Sequence, residues 1–250
     1  MDRFFIGVDL GQANDFTAVC VLKAQEPEVV ETHESAEAFS TPSWNPYHRR
    51  GRPPEQRTFR LPDGSTSDQD QPLLYVIGRL DRWRGIPYHE TNERIAAIVR
   101  KVPDPALIVD RTGVGRPVYD ALQEAGLHPI GVTVHGGDKV THEGNEYSVP
   151  KRDLIGAAQM ALGSKRLKIA AKLTHAATLE KEVLAYRYKM TASGQDTYGS
   201  WRESDHDDLL FAASLAVWYA DRSTGGKAFA KTLSLNFGRT VSNPSNWGLI

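Results

Sequence analysis

The sequence lacks most features that would assign it to a specialised class. A single cysteine, Cys20, in 250 residues excludes an internal disulfide and a cysteine-rich zinc site, and predicts a reducing, cytosolic setting. No apolar stretch reaches the ~20 residues needed to span a bilayer, and the N-terminal MDRFFIGVDLG is typical of a strand rather than of an export signal. The formal net charge is −1, with 30 basic and 31 acidic residues, so the overall charge indicates neither a nucleic acid nor a membrane as partner.

Two common kinds of catalytic motif are also missing. The chain has no G-x-x-x-x-G-K-[ST] phosphate loop, which argues against a nucleotide-driven motor. It has no G-x-S-x-G nucleophile elbow, and Cys20 lies in a strand pattern. The chemistry must therefore come from other residues.

Apolar periodicity predicts an α/β fold. Residues 3–11 and 16–25 read as a β-hairpin, and from residue 73 onward strand patterns alternate with helix patterns. Predicted helices cover residues 91–102, with Thr91 as N-cap, residues 150–169 and residues 174–190. This alternation predicts a mixed, partly parallel central sheet covered by helices on both faces.

One domain, residues 1–222, accounts for these elements. It contains a proline- and arginine-rich stretch at about residues 40–72, predicted to be a long loop, and an exposed β-hairpin at residues 138–149. Residues 223–250 contain no Asp or Glu but retain basic residues, which predicts a basic, flexible C-terminal tail.

Acidic residues stand at three structurally special positions. Asp9 ends the first strand, Asp110 ends a later strand, and Asp207 and Asp208 open the last long helix. Each has a structural explanation, since Asp forms turns and caps helices, the latter stabilising by about 0.3–1 kcal/mol. One Asp would suffice for a cap, however, and adjacent carboxylates repel one another unless a cation lies between them.

These positions predict a metal site. The carboxyl ends of strands gather at one edge of an α/β sheet, so we expect the acids to meet there. Oxygen ligands without a Cys/His cluster favour Mg²⁺ or Mn²⁺, and two such ions can promote phosphoryl displacement. His206 is a candidate accessory residue, as a ligand, a proton carrier or a phosphate partner.

Four segments occur in an order that suggests a family. They are GVDLG, IVDRTGVG followed by RPVYDAL, YSVPKRDLIGAAQMAL, and SDHDDLLFAASLA. With these, the chain resembles the nuclease domain of phage terminase large subunits over roughly residues 3–222. The resemblance implies an RNase H-like fold with a β-hairpin insertion, related to RuvC-type resolvases, and cleavage of double-stranded DNA with two Mg²⁺ or Mn²⁺ ions.

The resemblance also implies roles and partners. Asp9 would bridge both metals, Asp110 would supply the second strand's carboxylate, and Asp208 or Asp207 would complete the site, with Asp208 preferred. The implied partners are double-stranded DNA, the terminase ATPase domain or subunit, the small terminase subunit and the portal, in the host-cell cytoplasm. Because the first strand begins within a few residues of Met1, the chain is either an excised domain or a free-standing nuclease.

Local basic residues are candidates for phosphate contacts. The candidates are Lys151, Arg152, Arg202, Arg49, Arg50 and Arg52. The alternative is that they only complement helix dipoles and solvate the surface. Backbone contacts of this kind predict little sequence preference in cleavage.

Two other functions fit part of the sequence. Actin-like small-molecule kinases also begin with G-x-D-x-G, and DRTGVG could be their second phosphate loop, but an Asp-Asp pair at a late helix has no role there. A catalytically silent DNA-binding or capsid-docking module would keep the fold without the chemistry. The presence of all three acidic positions argues against it.

Overall fold

The central feature of the fold is an eight-stranded mixed sheet. A computed structural model describes residues 2–11, 15–26, 29–30, 58–60, 66–67, 73–170, 172–193 and 207–224. The strands are β1 (Arg3–Asp9), β2 (Thr17–Gln25), β3 (Val29–Val30), β4 (Thr58–Arg60), β5 (Thr66–Ser67), β6 (Leu74–Trp83), β7 (Ala106–Asp110), β8 (Ile130–His135), β9 (Thr141–Glu143), β10 (Glu146–Pro150) and β11 (Leu167–Ile169). The helices are α1 (Tyr88–Val99), α2 (Gly115–Glu124), α3 (Lys151–Gly163), α4 (Ala176–Ser193) and α5 (Asp208–Ser223).

The order of strands in the central sheet is β11-β6-β2-β1-β7-β8-β10-β9. The first hairpin is as predicted, with β1 antiparallel to β2, and β2 is antiparallel to β6. On the other side of β1, strands β7, β8 and β10 follow in parallel, and β9 and β10 form the predicted second hairpin. Strands β3, β4 and β5 form a separate small sheet, so two short strands lie within the segment predicted as a long loop.

Helices cover both faces of the sheet, as the alternation along β1 shows. Ile6 and Val8 pack with α1 and α2 in one apolar cluster, whereas Phe5 packs with α3 and α5 in another. Successive strand residues point to opposite faces, so the two clusters lie on opposite sides. The predicted fold class, an α/β mixed sheet flanked by helices on both faces and carrying a β-hairpin, is confirmed.

Helix α5 is the central helix of its face. Every residue from Leu209 to Val217 is buried, and α5 packs on β1, β2 and α3. A side chain on Gly7 would overlap the carbonyl oxygen of Ala212, so glycine allows the strand and helix backbones to touch. This contact places the beginning of α5 beside the end of β1.

Two predicted helix boundaries are wrong. The helix predicted over residues 150–169 ends at Gly163; Lys165 has φ of 57°, and the chain turns into β11, which pairs with β6. Helix α1 begins at Tyr88 rather than at Thr91. Thr91 is buried inside the first turn, where its hydroxyl accepts a hydrogen bond from Trp83 Nε1 at 3.3 Å. A tertiary contact therefore explains the threonine that the sequence suggested was a cap.

The last described element of the chain is α5. Helix α5 ends at Ser223, and the predicted basic tail lies outside the described residues beyond Thr224. Within the described ranges, no helix combines the length and apolarity that crossing a membrane requires.

Candidate metal centre

Asp9 and Asp110 lie side by side at the ends of two neighbouring parallel strands. Val8 pairs with Val109, so the next residue of each strand is one of these acids, on strands about 4.8 Å apart. Their phase along the strands directs both acids to the face covered by α5, because the preceding residues Val8 and Val109 pack on the opposite face. The carboxyl ends of β1 and β7 thus bring two of the predicted residues together.

The two acids of α5 are not used as a helix cap. Asp207 is the N-cap residue, but its side chain makes no capping hydrogen bond. The N–H of Leu210 instead donates to Glu182 Oε2 on α4 at 2.9 Å. Simple capping therefore does not explain the Asp207–Asp208 pair.

Both acids of α5 contact cations. Asp208 is buried, and its Oδ2 accepts a hydrogen bond from Arg82 Nη2 at 2.6 Å. Asp207 Oδ2 lies 3.5 Å from Lys151 Nζ, at the first residue of α3. Arg82 reaches this point from β6, where it pairs with the small residue Ala18.

Burial and repulsion by neighbouring carboxylates raise the pKa of Asp9 well above its usual value. Burial is the largest cause, followed by the charges of Asp110, Asp208 and Asp207, while Lys151 acts in the opposite direction. The other three acidic positions named from the sequence therefore all act electrostatically on Asp9. An ionised Asp9 is unfavourable here unless a further cation compensates it.

Asp110 also has the turn-forming role considered for it. Its Oδ1 accepts a hydrogen bond from the N–H of Thr112 at 2.8 Å, and a side chain on Gly115 would overlap its carbonyl oxygen. Burial raises its pKa, and the hydrogen bonds with Thr112 and the charge of Lys151 partly offset the increase. The turn thus fixes the Asp110 carboxylate within the acidic cluster.

Glu182 is a fifth acid, which the sequence did not reveal. Its side chain is only 5% exposed, and burial chiefly raises its pKa to about 7. The Leu210 N–H and Arg82 lower that pKa, whereas Asp208 and Asp207 raise it. Arg82 was missed as well, because nothing in GRLDRWRG distinguishes it from the neighbouring arginines.

The acidic side chains supply carboxylate oxygens, which are the atoms that hard divalent cations bind. Five carboxylates face two cations among the described residues: Asp9, Asp110, Asp207, Asp208 and Glu182 against Arg82 and Lys151. Within the same ranges, no three His, Cys, Asp or Glu side chains are disposed to hold one ion together. Carboxylate oxygens are the donors that hard divalent cations such as Mg²⁺ or Mn²⁺ prefer, and Asp207 and Asp208 each contact a protein cation here.

The remaining predicted residues have different outcomes. Lys151 lies at the acidic cluster, whereas Arg152 is half-exposed and pairs with Asp138 at 2.7 Å. The other predicted residues lie outside the described part of the chain: His206, Arg202, Arg49, Arg50 and Arg52.

Comparison with known proteins gives one group of structural similarities. No family model and no curated protein matches the chain. It is similar to crystal structures of the large terminase nuclease from thermophilic phage G20c. The form with bound magnesium has 15% identity and a TM-score of 0.48, covering 86% of this chain and 80% of that one.

The other two forms of that nuclease give similar values. The form with bound zinc has 14% identity and a TM-score of 0.43, covering 86% of this chain and 80% of that one. A third structure has 15% identity and a TM-score of 0.46, covering 86% and 81%. The resemblance expected from the sequence motifs is thus also found in solved structures, but a similarity of this size does not indicate what this chain binds or cuts.

Proposed function

We propose that the chain is a metal-dependent endonuclease that hydrolyses double-stranded DNA with little sequence specificity, as the nuclease part of a viral packaging terminase. The observation that carries this proposal is the buried cluster around Asp9. Carboxylates from two strand ends and a helix start gather there, and among the described residues they outnumber the cations beside them. Such a cluster is unfavourable by itself and becomes favourable when divalent ions bind.

Each of the four acids predicted from the sequence has a proposed role. Asp9, whose pKa the other three acids raise, is the shared ligand. Asp110 is the second ligand, held by its turn, and Asp208 or Asp207 completes the set, with Asp208 preferred. When bound, two Mg²⁺ or Mn²⁺ ions would activate a water molecule and stabilise the charge that develops on the phosphate oxygens.

Lys151 is the proposed phosphate contact among the described basic residues. It lies beside Asp207 and is close enough to Asp9 and Asp110 to lower their pKa values. A cation at this place would attract the DNA backbone to the cluster. Contacts to the backbone carry no sequence information, which supports cleavage with little sequence preference.

The wider context remains part of the proposal. The activity would be that of a large terminase nuclease, as the phage G20c protein is named. Its partners would be the terminase ATPase, the small subunit and the portal, in the host cytoplasm. Burial of Cys20, the only cysteine, is compatible with a reducing compartment.

Plasmid cleavage tests the proposal. We expect supercoiled plasmid to be nicked and linearised with Mg²⁺ or Mn²⁺ and to stay intact with EDTA. Asp9→Asn should reduce the rate on the order of 10³-fold, since it removes a ligand worth several kcal/mol to the transition state. The matched control is Asp120→Asn, an exposed acid on α2, which should cleave like the wild type.

Two results would overturn the proposal. One is cleavage that persists in EDTA or in a folded Asp9→Asn variant, as judged by circular dichroism and melting temperature. The other is the absence of cleavage with every metal, which would favour a silent DNA-binding module. Sequencing of the product ends measures the expected lack of a recognition site.

A further inference from the structure

Arg82 forms a buried ion pair with Asp208, one of the proposed metal ligands. Their side chains are 12% and 7% exposed, and the Arg82 guanidinium lies 3.7 Å from the centre of the Phe16 ring. Opposite charges in such surroundings are strongly attracted, and each depends on having a partner. A divalent ion at Asp208 would place two cations beside the same carboxylate.

A second acceptor for Arg82 is already within reach. Glu182 Oε1 lies 3.9 Å from the same Arg82 Nη2 atom that binds Asp208. Among the described residues, this oxygen and Arg82 Nε have no hydrogen-bond partner, although both atoms are buried. Buried polar atoms without partners are rare in folded proteins and call for an explanation.

The position of Glu182 is fixed by its other oxygen. Oε2 accepts the hydrogen bond from the N–H of Leu210, the third residue of α5. Glu182 is therefore attached to the helix that carries Asp208, and its free oxygen faces the guanidinium. Closing the 3.9 Å separation to a hydrogen bond of about 2.9 Å needs a movement of only about 1 Å.

We propose that Arg82 is a movable counter-ion, which pairs with Asp208 in the metal-free protein and shifts to Glu182 when Asp208 takes up a divalent ion. This inference rests on the proposed function, because it requires the metal site. Arg82 and Glu182 are then positioning residues: they keep Asp208 paired and in place without metal, and Glu182 receives the cation that metal uptake displaces. Glu182 Oε1, which has no hydrogen-bond partner among the described residues, is the acceptor that the shifted pair would use.

The test measures Mn²⁺ affinity by calorimetry on the full chain, without DNA. Glu182→Gln should weaken Mn²⁺ binding about tenfold, since the displaced guanidinium loses its charged acceptor. Glu180→Gln, an exposed glutamate on the same helix, is the matched control and should bind like the wild type. Arg82→Gln should tighten binding several-fold, because the competing cation is removed.

Coupling between the two residues distinguishes this inference from a general charge effect. In the Arg82→Gln background, Glu182→Gln should change the affinity less than about threefold, because no guanidinium remains to be received. Equal tenfold losses in both backgrounds would overturn the proposal, since Glu182 would then act only through its charge. If Arg82→Gln does not fold, NMR of the wild type replaces it, with the Arg82 Nε–H resonance assigned by comparison with Arg82→Lys. This resonance should shift when Mg²⁺ is added to the wild type. It should not shift when Mg²⁺ is added to Glu182→Gln.

Failure of this inference is separable from failure of the proposed function. A wild-type chain that binds no Mn²⁺ contradicts the metal site itself and the inference with it. A wild-type chain that binds Mn²⁺, with Glu182→Gln equal to Glu180→Gln, contradicts only the role of Arg82 and Glu182.

Discussion

The two faces of β1 differ in how they end. On the face of α1 and α2, Ile6, Val8 and Leu10 form an uninterrupted apolar row. On the face of α5, Phe5 and Gly7 are followed by Asp9, where the apolar core changes into a charged cluster. One strand therefore supports two different tasks: one face stabilises the fold, and the other accepts unfavourable charge near the proposed site.

The largest expected effects are on the free energy of unfolding, and substitutions on the two faces of β1 should change it in opposite directions. Ile6→Ala should lower the free energy of unfolding by about 2–5 kcal/mol, because it leaves a cavity at a fully buried position. Asp9→Asn should raise the metal-free free energy of unfolding at pH 7.5, because it removes a repelled carboxylate. Urea denaturation in EDTA measures both changes, and a destabilised Asp9→Asn would contradict the comparison.

A smaller effect is expected from pH. Glu182 has an ordinary pKa of 4.5 and a folded-state pKa of about 7, so the folded chain holds its proton to higher pH than the unfolded chain does. Stability contributed by the protonated form is complete below about pH 4.5 and is lost as the pH rises toward 7. The metal-free melting temperature should therefore decrease across this window.

Substitution of Glu182 tests how much of this decrease in melting temperature is due to that residue. Glu182→Gln should make the decrease shallower, and the control Glu180→Gln should leave it unchanged. Identical pH profiles of the melting temperature for the wild type and Glu182→Gln would show that Glu182 does not cause this loss of stability. Addition of Mg²⁺ should make the wild-type profile flatter, since the ion compensates the carboxylates.

The smallest effect is expected where charge lies outside the cluster. Arg152 is 44% exposed and pairs with Asp138, which is 78% exposed. Arg152→Ala should change the free energy of unfolding by less than about 0.5 kcal/mol, because exposed ion pairs contribute little. A loss above about 1 kcal/mol by urea denaturation would show that charge matters as much at the surface as inside the cluster.

The sequence pointed to the acids of the candidate site because they interrupt apolar patterns. Asp9 and Asp110 end buried strands, and Asp208 begins an apolar helix, so their ionisable groups stand out. The strand pairing that brings Asp9 and Asp110 together follows from the parallel order of β1 and β7. These features are local or depend on simple sheet rules.

Arg82 and Glu182 could not be predicted because long-range structure sets their surroundings. The register of β6 against β2 shifts between Val21 and Leu22, where Gly78 has no partner. Strict alternation from Tyr75 and Ile77 would have placed Arg82 on the face of the sheet opposite to α5. Glu182 is buried by α5, whose contact residue Leu210 lies 28 positions later in the chain.

The contact at Gly7 limits which substitutions this protein can accept during evolution. Main chain rests directly on main chain between β1 and α5. The interval between Asp9 and Asp208 is thus set by atoms that every amino acid shares. Any larger residue at position 7 would therefore push α5 away from β1 and lengthen that interval.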